Sequence, residues 1–175
     1  MNEDIKMDAS PFLALAMACA PQVDSRTTHA LATVESSLNP HAIGVVGGVL
    51  VRQPRYRQEA LVTARSLQAQ GWNFSVGLAQ INVRNVRRMG LRLEDAFEPC
   101  TNLRAMQTIL GDCYARSTVL GSTGPARDQH RLRQALSCYY SGNFETGFRH
   151  GYVQRVLDAA RRMPSAIPLP VRHRP

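Results

Sequence analysis

The chain has 175 residues, of which 44% are apolar, and its formal net charge is +8. This length and apolar content fit one compact domain, and no stretch of the sequence approaches the roughly 20 apolar residues that span a bilayer. The positive charge favours an anionic partner, such as nucleic acid, an acidic membrane face or a polyanionic polymer of the cell envelope. Because the basic residues are mostly arginines scattered between Arg52 and Arg174 without a basic tract, the charge does not indicate a dedicated nucleic-acid surface.

Two helices are predicted in the amino-terminal part of the chain. The stretch "DASPFLALAMACAP" predicts a helix with Ser10 as its N-cap and Pro11 at its first position. Acidic residues precede this short apolar run, whereas a secretory signal begins with basic residues, so no export signal is visible in the sequence. A second helix is predicted from about Ser25 to about Leu38, where the Asn-Pro pair that follows ends it.

The middle of the chain changes character. The stretch "AIGVVGGVLVRQP" is rich in glycine and β-branched residues, which predicts a small hairpin or an irregular loop. The next stretch, "RYRQEALVTARSLQAQG", predicts a helix that Gly71 closes in the usual C-terminal position. After it, "WNFSVGLAQINVRN" predicts an extended segment that turns into a short helix.

The rest of the chain is predicted to be helical up to a Pro-rich end. Three helical stretches follow Pro99, namely "TNLRAMQTILGDCYARS", "QHRLRQALSCYYSG" and "GYVQRVLDAARRM", with a loop from Gly121 to Pro125. We therefore expect a mostly helical α+β fold with one small β element. The expected domain covers residues 10–162, and the Pro-rich tail, residues 163–175, is expected to be disordered or a linker.

The cysteines and histidines do not predict a metal or cofactor site. The four cysteines are Cys19, Cys100, Cys113 and Cys138, and they form no C-x-x-C pair and have no histidine at zinc-ligand spacing. Four cysteines allow three pairings, and the sequence leaves both disulfides and buried free thiols open. The histidines form no triad with a suitable Ser or Cys, and the glycine-rich stretches lack the lysine of a phosphate loop, so no cofactor is expected.

One carboxylate lies where the helical pattern calls for an apolar side chain. In the second predicted helix, Glu35 falls between Leu31 and Leu38 on the apolar stripe. Such a residue either pairs with an arginine near the surface or serves as a general acid whose pKa is raised by partial burial. A rise of about 2 pKa units corresponds to roughly 2.7 kcal/mol, which a half-buried apolar wall can supply.

Four further motifs follow in a fixed order. They are "ESSLNP", "SVGLAQIN", "SCYYSGN" and "GYVQRV". Together they resemble the lytic transglycosylases of the soluble-lytic, goose-type-lysozyme-like superfamily. The details "NPHAIGVVGG", "GWNFSVGLAQIN" and "FEPCTNL" are most similar to the transglycosylase component of bacterial type IV secretion systems. The resemblance covers Phe12 to about Ala160 and implies a lysozyme-like fold.

The resemblance also implies roles for individual residues. Glu35 would be the sole catalytic acid/base, and Tyr152 would match the late tyrosine whose hydroxyl orients that carboxyl. Gly77, Leu78 and Gln80 would match a Gly-Leu-Met-Gln-like segment, in which Ala79 replaces the common Met. The stretch from Tyr140 to Asn143 would take the place of a Tyr-Asn-Ala-Gly segment, in which Ser141 replaces an Asn that would bond to substrate. The residues expected to bind substrate are Ser36, Ser75, Gly77, Leu78, Gln80, Tyr140, Ser141, Asn143 and Tyr152.

The implied reaction is cleavage of the β-1,4 bond after N-acetylmuramic acid. Glu35 would protonate the leaving oxygen, the N-acetyl group of the substrate would stabilise the cationic centre, and the C6 hydroxyl would attack to give a 1,6-anhydro product. A glycosidase that uses water or a covalent intermediate carries a second carboxylate. Glu145, which follows the Tyr-Tyr-Ser-Gly-Asn stretch, is the candidate nearest to one of the motifs.

Three other functions are weighed against this one. The first is a hydrolytic muramidase, and the second is a catalytically weak module that binds peptidoglycan and recruits secretion components. Nucleic-acid binding is supported only by charge, and a specific nucleic-acid partner is not expected. The expected partners are glycan strands of peptidoglycan and components of a type IV secretion system. Such an enzyme would work in the oxidising periplasm, where Cys19 and Cys100, each beside a helix end, form the expected disulfide.

Overall fold

The computed structural model describes residues 6–118 and 123–163. The helices are α1 (Ala9–Cys19), α2 (Ser25–Ser36), α3 (Arg57–Ala69), α4 (Val83–Arg88), α5 (Leu93–Ala96), α6 (Pro99–Arg116), α7 (Gly124–Ser141), α8 (Thr146–Arg149) and α9 (Tyr152–Arg162). The strands are β1 (Ile43–Val45), β2 (Phe74–Val76) and β3 (Ile81–Asn82). The predicted mostly helical α+β fold with one small β element is confirmed.

The first helix begins earlier than its sequence suggests. The N-cap of α1 is Asp8, so Ser10 and Pro11 lie inside the first turn and the predicted cap is wrong. A proline is accepted there because the first N–H groups of a helix have no partner within it. At the start of α2 the expected position is correct, since the Asp24 carboxylate accepts hydrogen bonds from the N–H groups of Arg26 and Thr27, both at 3.1 Å.

The second helix also ends two residues before the predicted position. Ser37 and Leu38 adopt left-handed conformations, with φ of 54° and 63°, and close α2 after Ser36. The Leu38 N–H donates to the Ala32 carbonyl at 3.3 Å, which satisfies a terminal carbonyl of the helix. This closure turns the chain sharply one residue after the Glu35–Ser36 pair.

The strands form an antiparallel sheet in the order β1-β2-β3. Ile43 pairs with Val76, and Val76 pairs with Ile81 on its other side. All three side chains are buried, so this face of the sheet rests on the helical core. The turn between β2 and β3 spans residues 77–80 and is tight, with φ of 78° at Gly77 and 48° at Gln80.

The helices supply most of the core. Helix α2 packs against α9, and α6 packs against α1 and α7. The centre is formed by large side chains that are at most 1% exposed, including Phe12, Leu31, Phe74, Leu103, Met106 and Leu136. Disulfides between Cys19 and Cys100 and between Cys113 and Cys138 link α6 to both of its neighbours. Sequence reasoning named the first pair and did not name the second.

Two predictions concern segments that lie partly outside the described residues. The predicted loop from Gly121 to Pro125 ends early, because Gly124 and Pro125 already form the first turn of α7. Residues 119–122 and the predicted tail beyond Met163 lie outside the described residues. In the described part of the chain, no helix is both long and apolar enough to cross a membrane.

Candidate active site

The site is built around Glu35, in the last turn of α2. The side chain is half-buried beside the fully buried Leu31, and its Oε1 accepts a hydrogen bond of 2.5 Å from the Tyr152 hydroxyl. Burial raises the pKa of Glu35 to about 7, although the Tyr152 hydrogen bond and the positive charge of Arg155 both act to lower it. The carboxyl on the apolar stripe is therefore a group that carries a proton near neutral pH.

Tyr152 is positioned by the start of α9. It is the first residue of that helix, follows Gly151 with its φ of 69°, and is 2% exposed. Its ring stacks on Tyr140 with centroids 4.5 Å apart, and the Tyr140 hydroxyl lies 3.3 Å from Nδ1 of His150. Burial raises the pKa of Tyr152 well above its usual range, as does the nearby Glu35, so the hydroxyl stays protonated and donates to the carboxyl.

Tyr139 is a site residue that sequence reasoning missed. It is half-buried on α7 and lines the same cleft as Glu35, and its hydroxyl donates to the Ala79 carbonyl at 2.6 Å. Burial and the charge of Glu35 both raise the pKa of this hydroxyl well above its usual range. Tyr139 thus fixes the helix α7 to the turn at residues 77–80, directly across the cleft floor.

The structure also favours a shift of one residue in the Tyr-Asn-Ala-Gly-like segment. Gly142, with φ of 79°, ends α7 in the left-handed conformation that favours glycine. If Gly142 takes the place of the glycine in that segment, the tyrosine of the segment is Tyr139, and Tyr140 replaces the asparagine. The doubled tyrosine in "SCYYSGN" is the signal for this register, whereas the prediction from the motif has Tyr140 in the first position.

The opposite wall of the cleft is held by amide hydrogen bonds. The Gly77 N–H donates to the Ala42 carbonyl at 2.9 Å, and Nε2 of Gln80 donates to the carbonyls of Ala42 and Gly77 at 3.1 and 2.9 Å. A Cβ atom at Gly44 would lie 2.6 Å from Oε1 of Gln80, so a glycine is needed there for the Gln80 side chain to reach its place. Gln80 is therefore rigid on the cleft wall.

A second missed residue, Asn102 on α6, supports that wall from behind. Its fully buried side chain accepts from the Ala79 N–H at 2.8 Å and donates to the carbonyls of Val76 and Ala96 at 2.9 and 2.7 Å. A Cβ atom at Gly77 would lie only 2.4 Å from Nδ2 of Asn102. The signal in the sequence was a polar residue on the apolar face of a helix, next to Leu103.

These walls enclose a cleft of about 340 Å³. Its lining includes Glu35, Gly44, Val45, Val46, Ser75, Gln80, Ile81, Asn82, Asn85, Ile109, Tyr139 and Tyr140. Of the predicted substrate-binding residues, Ser75, Gln80 and Tyr140 lie in this lining, and Tyr152 stands behind Glu35. Glu35 is the only carboxylate among the described lining residues.

Other predicted substrate-binding residues have structural contacts instead. The Ser36 hydroxyl donates to the Leu78 carbonyl at 2.8 Å, which ties α2 to the turn, and the Leu78 side chain is fully buried. Gly77 provides the conformation of that turn and does not line the cleft. These residues position the site from behind because their polar atoms are already engaged with the backbone.

The predicted residues at the end of α7 and just after it also serve the backbone. The Ser141 hydroxyl donates to the Ser137 carbonyl at 2.9 Å. Oδ1 of Asn143 accepts from the N–H groups of Glu145 and Thr146 at 3.0 and 2.8 Å, which starts the short helix α8. Glu145 is the exposed N-cap residue of α8 and does not line the cleft, so it lies outside the position of a second catalytic carboxylate.

The fold is mostly helical α+β, and Glu35 is the one carboxyl among the described lining residues of its cleft, an arrangement that fits the lysozyme-like class expected from the motifs. The chain belongs to the Transglycosylase SLT domain family, whose model matches residues 12–160. The resemblance seen in the sequence motifs is confirmed by this match. No solved structure matches the chain significantly.

Named relatives come from several bacteria. The type IV secretion system protein virB1 of Brucella abortus is 50% identical over 155 residues, which are 86% of this chain and 64% of the relative. Protein virB1 of Agrobacterium fabrum is 37% identical over 147 residues, 83% of this chain and 57% of the relative. Protein virB1 of Rhizobium radiobacter is 35% identical over 163 residues, which are 92% of this chain and 65% of the relative. The chain thus spans less than two thirds of the length of these relatives.

Proposed function

We propose that this chain is a peptidoglycan lytic transglycosylase in which Glu35 is the sole acid/base. The observation that carries the proposal is that Glu35, whose pKa is about 7, is the single carboxyl among the described lining residues of the cleft. A retaining or inverting hydrolase needs two carboxyl groups that flank the scissile bond. The substrate is the β-1,4 bond that joins N-acetylmuramic acid to N-acetylglucosamine, in agreement with the family of the chain.

In the first half of the reaction Glu35 acts as an acid. Its proton moves to the glycosidic oxygen, and the bond between that oxygen and C1 of the muramic unit breaks. The carbonyl oxygen of the substrate's own acetamido group stabilises the positive charge on C1. General acid help of this kind contributes about 10²–10⁴-fold in rate. The hydrogen bond from Tyr152 to Oε1 of Glu35 holds the carboxyl in place and leaves Oε2 for the proton.

In the second half the same residue acts as a base. The C6 hydroxyl of the muramic unit attacks C1, and the Glu35 carboxylate takes up the hydroxyl proton. The product ends in a 1,6-anhydro ring, no water is consumed, and Glu35 is protonated again. A pKa of about 7 suits both steps, because the group is then neither a strong acid nor a strong base at neutral pH.

The residues of the cleft wall have binding and positioning roles in this proposal. Ser75, Gln80 and Tyr140 face the substrate, and Tyr139 fixes the distance between the two walls. Ser36, Gly77 and Leu78 shape the turn from behind, as their contacts indicate. The catalytic domain would correspond to residues 10–162, close to the extent of the family match.

We also propose a setting for the reaction. The relative from Brucella abortus is named a type IV secretion system protein, which supports a role in opening the wall locally for such a machine. The peptidoglycan substrate proposed for this chain would place it in the periplasm, and its two disulfides suit that oxidising compartment. A net charge of +8 favours binding to the anionic wall polymer.

Mass spectrometry of the products released from purified sacculi tests the proposal. We expect anhydro-muropeptides from the wild type and none above background from Glu35→Gln. Glu145→Gln is the matched control, since it removes an exposed carboxyl outside the cleft and should leave the products unchanged. Hydrated products would show a hydrolytic muramidase, and binding to sacculi without any product would show a binding module. Either result would overturn the proposal.

A further inference from the structure

A second groove opens beside the catalytic cleft. It encloses about 690 Å³ between α4, α6 and the end of α7. Asn85, Ile109 and Tyr139 line both the groove and the cleft, so the two spaces share a wall. A substituent on a sugar bound next to Glu35 would therefore lie close to the groove.

The groove carries charged groups of a particular pattern. Arg88 on α4 and Arg116 at the end of α6 line it, together with Asp112 on α6. Within residues 6–118 and 123–163, neither arginine forms an ion pair with a carboxylate. By contrast, Arg52, which lines neither the cleft nor the groove, is paired with Glu59. The groove thus offers two guanidinium groups to an incoming anion and one carboxylate to a cation.

Arg116 is held at the groove wall. Its Nε donates to the Asp112 carbonyl at 3.3 Å, and its Nη2 lies 3.2 Å from Sγ of Cys138 in the disulfide with Cys113. The guanidinium also lies over the Phe144 ring, 6.0 Å from its centroid. Because these contacts already restrict the side chain, binding an anion there costs less conformational entropy than at a free surface arginine.

We propose that this groove binds the peptide stem of the muramic acid unit, with Arg88 and Arg116 recognising its carboxylates and Asp112 its free amino group. The inference rests on the proposed function, because the stem is part of that substrate. A peptide stem carries several carboxylates and a free amine, which matches the charges of the groove. The planar fork of an arginine bonds a carboxylate through two parallel hydrogen bonds. The stem leaves the sugar on the muramic unit, which is the unit that Glu35 acts on.

Calorimetry with two product ligands tests this inference without turnover. The ligands are an anhydro-disaccharide with its tetrapeptide stem and the same anhydro-disaccharide without a stem. We expect the wild type to bind the stem-bearing ligand about 10-fold more tightly, as one or two charge-assisted hydrogen bonds would give. This preference should disappear in Arg88→Gln and Arg116→Gln, and it should weaken as salt is raised.

Controls separate this inference from a general effect of charge or stability. Arg104→Gln removes an exposed arginine of α6 that does not line the groove, and it should keep the preference for the stem. Arg88→Gln is informative even if Arg116→Gln disturbs the disulfide region, since Arg88 is exposed on α4. Equal affinity of the wild type for both ligands, or the absence of any binding that depends on the stem, would overturn the inference.

Turnover gives a second readout on the same variants. On intact sacculi, Arg88→Gln should raise KM about 10-fold with little change in kcat, whereas on glycan strands stripped of their stems it should behave as the wild type. A loss on both substrates would contradict a role in stem recognition. If the proposed reaction itself is wrong, no anhydro product appears from either substrate, while the preference in binding is still measured independently.

Discussion

The two walls of the cleft are built from different chemistry. The helical wall carries Glu35 and Tyr139, and Tyr152 lies behind them, so its functional groups are ionisable and largely removed from water. The sheet wall carries Ser75, Gln80 and neighbouring backbone, and none of its described lining residues is ionisable. Its shape comes from amide hydrogen bonds around the turn at residues 77–80.

The two walls therefore separate the residues that mainly stabilise the fold from those that mainly serve the chemistry. A half-buried carboxyl with a pKa raised to about 7 makes the folded state less stable whenever that group is charged. A satisfied amide network stabilises the fold and fixes a surface against which a sugar can rest. We therefore expect mutations in the sheet wall to lower stability first and mutations in the helical wall to change chemistry first.

The largest expected effect is on the sheet wall. Asn102→Ala should lower the free energy of unfolding by about 4 kcal/mol, because three buried backbone groups lose their partner. Denaturant unfolding measures this change. Thr108→Ala is the control on the same helix, since it removes an exposed hydroxyl and should cost at most about 0.5 kcal/mol. A loss below about 1 kcal/mol for Asn102→Ala would contradict the view that the Asn102 hydrogen bonds hold the sheet wall rigid.

The next effect is a gain in stability on the helical wall. The pKa of Glu35 rises from 4.5 to about 7 on folding. The stability that the protonated carboxyl gives the folded state, relative to the charged form, is therefore fully present below pH 4.5 and is lost as pH rises through 7. Glu35→Gln has no such loss and should exceed the wild type in stability by roughly 3 kcal/mol at pH 8. At pH 4 the two proteins should have similar stability.

Thermal unfolding at a series of pH values measures this difference. Because the other titrating groups are the same in both proteins, subtracting the two curves isolates Glu35. Glu145→Gln, which removes an exposed carboxyl outside the cleft, is the matched control at each pH. A constant difference in stability between the wild type and Glu35→Gln from pH 4 to pH 8 would mean that burial does not raise the pKa of the Glu35 carboxyl.

The smallest expected effect is a shift in the pH profile. Tyr152→Phe removes the hydrogen bond that lowers the pKa of Glu35, so the pKa should rise by about one unit. The acid form then persists to higher pH, and the alkaline limb of kcat/KM moves up by the same amount. The rate at the optimum should also fall, because the carboxyl loses its orienting contact.

Tyr140→Phe is the matched control for that shift. The Tyr140 ring stacks on Tyr152, but its hydroxyl lies near His150 and makes no hydrogen bond to Glu35. The alkaline limb should therefore stay where it is in the wild type. If both variants moved the limb equally, the stacked pair as a whole, rather than the single hydroxyl, would set the pKa of Glu35.

The sequence predicts much of the helical wall because its signals are local. Glu35 stands out on an apolar stripe, and the helices that carry it and Tyr152 have clear periodicity, the first of them with Asp24 as its N-cap. The errors at α1 and at the end of α2 are shifts of two residues. They arise because a proline fits several positions of a first turn and because two non-glycine residues adopt left-handed conformations.

The sheet wall was less predictable because its contacts join distant parts of the chain. Asn102 on α6 bonds to Val76 at the end of β2 and to Ala79 in the turn after it, and nothing in the sequence around Asn102 names those partners. Ser36 and Asn143 have side chains that bond either to substrate or to backbone, and only the fold decides that they bond to backbone. The sequence motif alone therefore does not distinguish the two roles for these polar residues.

The cysteines pair in their order along the chain, which is also the order in which they are synthesised. Cys19 joins Cys100, the next cysteine along the chain, and only then do Cys113 and Cys138 follow as a second pair. If the chain enters an oxidising compartment with its amino terminus first, an oxidase that joins each newly exposed thiol to the one already waiting produces both native bonds. Biosynthesis of this domain would then require an oxidase but no disulfide isomerase.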